Sequence, residues 1–146
     1  MICRGSFFHV IDNSGAIQVK CIHHYGSFKQ RFIRIGDVLL VVVKNVRTSQ
    51  YVATKTKKEL ETPRPTKPGM KKDPIKKGEI LFGLVTHIRD LQQTKSNFTI
   101  KFFQVSVVLL KKTNKTLVGT RILGSLPKSL RSTSYMRILT LSSGLC

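Results

Sequence analysis

Short apolar runs of β character, separated by polar and glycine-bearing turns, restrict this chain to a fold of short strands. The stretch "VIDNSGAIQVKCI", Val10 to Ile22, shows the pattern in miniature: two alternating runs joined by an Asp12–Gly15 turn. Ahead of it "SFFHVI" reads as a short strand. After it "AIQVKCIHHY" sets Ile17, Val19 and Cys21 on one side and Gln18 and Lys20 on the other, as a half-buried strand does. Gly36-Asp37 leads into "VLLVVVKNV", whose β-branched and nearly continuous run predicts a strand buried on both faces or close to it. The pattern resumes with "GEILFGLVTHI", a polar turn "RDLQQTKSN" and "FTIKFFQVSVVLL", and "KKTNKT" makes a further turn with basic flanks.

Two segments break this texture. Four of the five prolines fall between Arg47 and Lys77, in a stretch too poor in apolar residues to build a core. An extended basic arm that orders on binding is expected there, with a plain flexible linker as the competing reading. Near the other end, Pro127 is suited to a first helical position, and Tyr135, Met136 and Leu139 lie at mostly helical spacing. Short helices are expected near Pro127–Ser132 and Ser134–Leu141. The expected organisation is one domain. Residues 1–46 and 73–125 form a small, mostly β barrel, 47–72 a Pro/Lys-rich insertion, and 126–146 a short helical C-terminal region.

Charge limits the function. Lys and Arg number 26 against 7 Asp and Glu, a formal net of +19. Solubility needs a net charge of only about 2–8, so a polyanionic partner is expected: nucleic acid first, an anionic membrane surface second. Spanning a bilayer needs roughly 20 apolar residues, and the longest apolar run is "VLLVVV", Val38 to Val43. The N-terminal apolar stretch is too short for a secretory segment. Strand-like sequence starts by Phe7, so no targeting peptide is visible; the chain is expected to be made where it works or to have lost a presequence.

Catalytic chemistry finds no constellation. Asp12 and Asp37 stand beside turn glycines, where carboxylates commonly accept backbone N–H bonds. The tandem His23-His24 lies in a strand, so its rings point to opposite faces; His9 and His87 are isolated in strand context. No glycine-rich phosphate loop occurs, and Cys3, Cys21 and Cys146 lack metal or redox spacing and read as reduced thiols. Neither an enzyme nor a cofactor nor a metal is expected. The cations are instead spread over every loop, which suits a structured RNA read by shape and backbone charge. Phe28, Phe32 and Tyr51 are available for base stacking, or for core or rim. A stand-alone RNA-binding regulator on the same small barrel is the alternative reading.

Four segments together, "VIDNSGAIQVKCI", "IGDVLLVVVK", "IKKGEILFGLVTHIR" and "VGTRILGSLPKSLRSTSYMRILTLS", resemble the large-subunit ribosomal protein L fourteen family in its bacterial and organellar form. The DNSGA turn (Asp12 to Ala16), the VGTRI-x-G segment (Val118 to Gly124) and Leu130 to Ser132 are the most specific part of the match. The resemblance implies a five-stranded β-barrel with a small helical C-terminal region, and a structural role in the large ribosomal subunit. It also implies rRNA binding, a neighbour of the L nineteen family, small-subunit rRNA met at an intersubunit bridge, and reception of the ribosome silencing factor. Carried over residue by residue, it implies RNA contacts at Lys44, Lys76, Lys77, Arg121, Arg131 and Arg137, with Asn13 and Ser14 as contacts or corner chemistry, and Arg31 and Arg34 in a basic loop. In "KFFQVSVVLL", Lys101 keeps a charge, while Phe103 and Val105 stand where the family usually has polar residues. That drift, together with the 47–72 insertion, points to a mitochondrial ribosome, with another organellar or a bacterial one as the alternative.

Overall fold

The computed structural model describes residues 2–25, 32–47, 75–93, 99–132 and 135–146. Five strands close into a barrel in the order β1 (Phe7–Val10), β2 (Ala16–His24), β3 (Val38–Val46), β4 (Ile80–His87) and β7 (Ser106–Leu110). Neighbours are antiparallel except at the closure, where β7 runs parallel to β1 through His9↔Ser106 and Val10↔Val107. Closure removes the exposed edges that make an open sheet prone to pair with other chains. Register shifts between Cys21 and His23 and between Val85 and His87 bend β2 and β4 where the wall must curve.

Alternation along the strands makes two cores. Inward residues, among them Phe8, Val19, Leu39, Val41, Val43, Val85, Val107 and Leu109, fill the barrel. Outward residues Leu84, Val108 and Leu110 are buried as well, beneath Ile122, Leu126, Leu130 and Ile138 of the C-terminal segment. Burying each leucine or isoleucine fully contributes about 1.5–3 kcal/mol, so the external layer matters to stability. The strands covered on both faces are therefore β4 and β7, where β7 is buried at every position. β3 differs from expectation: Leu39, Val41 and Val43 are buried, but outward Val38, Leu40 and Val42 are only half-buried.

Three of the barrel strands start from the same turn. In Cys3–Ser6, Arg34–Asp37 and Lys76–Glu79, the fourth N–H donates to the first carbonyl at 3.2, 3.3 and 3.2 Å. The third residue is Gly5, Gly36 or Gly78, with φ of 86°, 90° and 87°, the left-handed value that a type II turn requires at that position. The fourth side chain then reaches back to accept the first amide: Ser6 Oγ at 3.3 Å, Asp37 Oδ2 at 2.7 Å and Glu79 Oε2 at 3.1 Å. This is the turn chemistry expected of Asp37, and the same holds for Asp12, whose Oδ1 accepts the Ser14 N–H at 2.9 Å.

The run "FTIKFFQVSVVLL" is not one strand. Thr99–Ile100 (β6) pairs with Gln92–Gln93 (β5) outside the barrel, and the chain is irregular from Lys101 to Val105 before β7. Two contacts hold it off the ladder. The Phe102 ring packs edge-on to His87 with centroids 4.3 Å apart, and Arg89 Nε donates to the Phe103 carbonyl at 2.9 Å. Phe103 itself is 95% exposed.

The C-terminal region contains a 3-10 turn, Lys128–Ser132, and one α-helical turn, Arg137–Thr140, close to the expected places. Beyond expectation, Ser125–Leu126 (β8) pairs in parallel with Gly144–Leu145 (β9), which folds the last residues back on the start of the segment.

Candidate nucleic-acid interface

Antiparallel order fixes which loops share an end of the barrel. The starts of β1, β3 and β7 and the ends of β2 and β4 lie together; the ends of β1, β3 and β7 and the starts of β2 and β4 lie at the other end. Arg34 and Lys101 fall at the first end. Asn13, Ser14, Lys44, Lys76 and Lys77 fall at the second, and Arg121 joins them because its carbonyl accepts the Asn13 N–H at 3.2 Å.

Backbone bonds bind this second end into one surface. Gly78 N–H donates to the Val43 carbonyl at 2.8 Å and Val43 N–H to the Glu79 carbonyl at 3.0 Å, so the Lys76–Glu79 turn lies beside Lys44. Arg47 N–H donates to the Gly15 carbonyl at 2.9 Å, which brings the end of β3 against the Asp12–Gly15 corner.

The corner and the Val118–Gly124 segment, more than a hundred residues apart in sequence, interlock. Asn13 Oδ1 accepts the backbone N–H groups of Thr120 at 2.7 Å and Arg121 at 3.1 Å, and its Nδ2 donates to Thr120 Oγ1 at 2.8 Å. Asp12 is buried, bridges Ile122, and its Oδ2 accepts the Leu109 N–H of β7 at 2.8 Å. The fit is close enough to require glycine at 119, where a Cβ would stand 2.8 Å from Asp12 Cβ and 3.0 Å from Asn13 Oδ1. Asn13 thus serves the corner with both ends of its amide, and Ser14 Oγ is buried, without a hydrogen-bond partner. Asn13 also holds the backbone of Arg121, whose side chain is exposed.

The cations behave differently. Arg34, Lys44, Lys76, Lys77, Lys101, Arg121, Arg131 and Arg137 are all exposed, and among the described residues none of their side chains is held in an ion pair. Three of the described carboxylates are engaged elsewhere. Asp12 and Glu79 accept backbone amides, and Asp37 Oδ2 takes both the Arg34 N–H and His24 Nε2, the latter at 3.0 Å. Positive charge is left to face outward on rigid turns. Arg131 and Arg137 lie on the C-terminal segment over the outer face of β3, β4 and β7, with Arg137 beside Gly119 and Thr120 of the second end. Arg4, in the Cys3–Ser6 turn, is a further exposed cation. Its signal in the sequence is the Gly-then-acceptor pattern shared with Gly36-Asp37 and Gly78-Glu79. Arg31, Phe28, Tyr51 and the insertion beyond Arg47 lie outside the described residues. Phe32 is described and exposed.

The buried polar groups are structural. His87 joins the barrel to the C-terminal segment: its Nε2 lies 2.8 Å from the Ser125 carbonyl, which can only accept, so Nε2 carries the proton. Nδ1 then accepts from Ser106 Oγ at 2.6 Å. Burial pushes the His87 pKa down, opposed in part by the Ser125 carbonyl. Burial likewise pushes the Cys21 thiol up, and Cys3, Cys21 and Cys146 are all free.

This five-stranded barrel agrees with what the sequence resembles. The family model of ribosomal protein L14p/L23e matches residues 1–146, the full length of the chain. The chain therefore belongs to the ribosomal protein L14p/L23e family: it is a structural protein of the large ribosomal subunit and not an enzyme.

Proposed function

We propose that the chain binds large-subunit rRNA through the exposed cations of its turns, chiefly Lys44, Lys76, Lys77 and Arg121 at the second barrel end, with Arg34, Lys101, Arg131 and Arg137 as further contacts. One observation carries this reading. Asp12, Asp37 and Glu79 are committed to backbone amides and to His24, and among the described residues none of these basic side chains is held in an ion pair. Rigid cations at fixed spacing suit a folded polyanion, because little side-chain and loop entropy is lost on contact.

The family resemblance supports the finer parts of the proposal. Seated on rRNA, the protein neighbours an L nineteen family protein, contributes to the intersubunit face and its small-subunit bridge, and offers a surface to a silencing factor. Its departures, the replaced polar residues around Phe103 and the 47–72 insertion, support a mitochondrial ribosome as its setting.

The test is Arg121→Glu. The backbone of Arg121 holds the corner while its side chain does not, so folding should be unaffected. Binding to a transcript of the organism's own large-subunit rRNA should weaken, and the slope of log affinity against log salt should fall by about one unit. Incorporation into large subunits should drop in parallel. Unchanged affinity, slope and incorporation would remove Arg121 from the interface, and a chain with no salt-dependent affinity for the transcript would overturn the reading as a whole.

A further inference from the structure

A cleft with a volume of about 730 Å³ lies between the Lys111–Thr116 turn and the C-terminal helical turn. Leu117, Ile138 and Leu141 make its apolar floor, Tyr135 stands in its wall, and Lys115 and Arg137 are exposed at its rim. The volume falls within the roughly 300–1,000 Å³ of pockets that enclose small organic ligands. No carboxylate lines it among the described residues.

Lys115 is held in place at some cost. It is the one described non-glycine residue with positive φ, at 49°, a conformation disfavoured for a residue with a Cβ. Two backbone bonds impose it: Lys115 N–H to the Lys111 carbonyl at 3.0 Å and Lys111 N–H to the Thr116 carbonyl at 2.8 Å. The second cation, Arg137, is the first residue of the helical turn, whose buried Ile138 anchors it to the outer core. Both walls are therefore fixed to the barrel through independent elements.

We propose that this cleft receives one unstacked nucleotide of a bound RNA, its base lying on the apolar floor against Tyr135 and its phosphate held at Lys115 and Arg137. The inference rests on the RNA-binding reading and adds to it a site that takes a base, where the turns of the barrel ends take backbone charge alone. A flat aromatic ligand bearing an anion satisfies all the lining chemistry at once. Tyr135 offers a ring, the floor offers apolar area, and the Thr116 hydroxyl can meet the polar edge of a base. A leucine-like side chain of a partner protein would use the floor, but would leave both cations without a matching group.

The test uses the full chain with Tyr135→Trp, which places the protein's one indole in the cleft wall, since the natural sequence has no tryptophan. Tetrauridylate and tetraadenylate should quench its emission saturably, whereas inorganic polyphosphate of equal charge should not. Combining Lys115→Gln with Arg137→Gln should raise the midpoint by about tenfold or more. The wild-type chain supplies a second reading that does not depend on how the tryptophan variant folds: the Thr116 and Thr120 amide NMR signals should shift with the same oligonucleotides. The proposal is overturned by an equal response to polyphosphate, by a response only to an acidic leucine-bearing peptide, or by silence at both reporters. Transcript binding is measured alongside. A silent cleft in a chain that binds the transcript removes the cleft and leaves the RNA-binding reading standing; a chain that ignores the transcript overturns that reading, and with it the role of the cleft in a bound RNA, whatever the oligonucleotides do.

Discussion

The inner and outer cores lie on opposite faces of the same strands and are held by different means. The inner core is enclosed by a ladder of backbone hydrogen bonds that closes on itself, so its perimeter is set before any side chain is chosen. The outer core has no such frame. Its covering layer is a segment of two-residue strands and single helical turns. Elements this short are not stable alone. They persist because Ile122, Leu126, Leu130 and Ile138 are buried on Leu84, Val108 and Leu110, and because His87 and the Asp12-Asn13 corner pin them in place. Backbone pairing shapes one region; the surface beneath shapes the other. The C-terminal layer should accordingly be the first unit to open, since local unfolding follows low contact density and short elements.

The largest effect comes from striking each core in turn. Leu109 and Leu130 are both fully or almost fully buried, the first inside the barrel and the second outside it. Leu109→Ala should cost about 2–5 kcal/mol, and the loss should appear as reduced hydrogen-exchange protection in every barrel strand. Leu130→Ala carries a similar local penalty but should release mainly the C-terminal amides, such as Ile122, Lys128 and Cys146, leaving β2 and β3 protected. Were Leu130→Ala to lower protection uniformly, the two cores would be one cooperative unit and the distinction would fail.

A smaller effect tests the point where the cores meet. Asp12 bonds the Leu109 amide of the barrel with one oxygen and bridges Ile122 of the outer layer through its backbone. Gly119→Ala would press a methyl group against Asp12 Cβ at 2.8 Å, a carbon next to the backbone that cannot swing aside. Overpacking of this kind costs about 1–3 kcal/mol, and the melting temperature should fall accordingly. Since Arg121 is positioned by the same corner, transcript affinity should drop as well, while its salt slope stays near that of the wild type. A melting temperature equal to wild type would show that the corner is looser than the contacts indicate.

The same contrast explains what could be read from the residues. In β2 the buried face of Val19 and Cys21 was legible as alternation, but Ile17, expected on that face, is 40% exposed, because register shifts on either side of Gln18 break the period. The Asp12–Gly15 and Gly36-Asp37 turns were legible because a carboxylate beside a glycine carries its own chemistry; the matching turn at Gly78-Glu79 emerged only in the structure. Relations between distant segments left no such trace. Nothing local in Asn13 announces Thr120, and nothing in His87 announces Ser125, since each bond joins segments that only the closed barrel brings together. For the same reason "VLLVVVKNV" looked buried on both faces. Residue type records that Leu40 and Val42 are apolar, but only topology tells that the C-terminal layer covers β4 and β7 more fully than β3. The cations of the candidate interface could be counted in the sequence; their sorting onto two barrel ends and the C-terminal layer could not.

The smallest effect is one of pH, and it acts on the His87 pin alone. Its neighbours, Thr86, Ser106, Ser125 and Phe102, carry no charge that would welcome a proton on the ring, and burial lowers its pKa below the ordinary 6.5. Above that ordinary value neither folded nor unfolded chain is protonated there, and the stabilisation is fully present. As the pH falls below it, the unfolded chain takes up a proton that the folded chain refuses, so stability declines until the pH passes the folded value and the contribution is gone. Protonation also replaces the Nδ1 lone pair that accepts from Ser106 with a second donor. Exchange protection of the C-terminal amides should therefore fall as pH is lowered through and below 6.5, after correction for intrinsic exchange rates. In His87→Phe, less protected at neutral pH, that part of the dependence should vanish, separating it from any contribution of His9, His23 or His24. If wild type and His87→Phe lose protection in parallel, the ring does not pin the layer, and apolar burial with the Asp12-Asn13 corner holds the outer core closed.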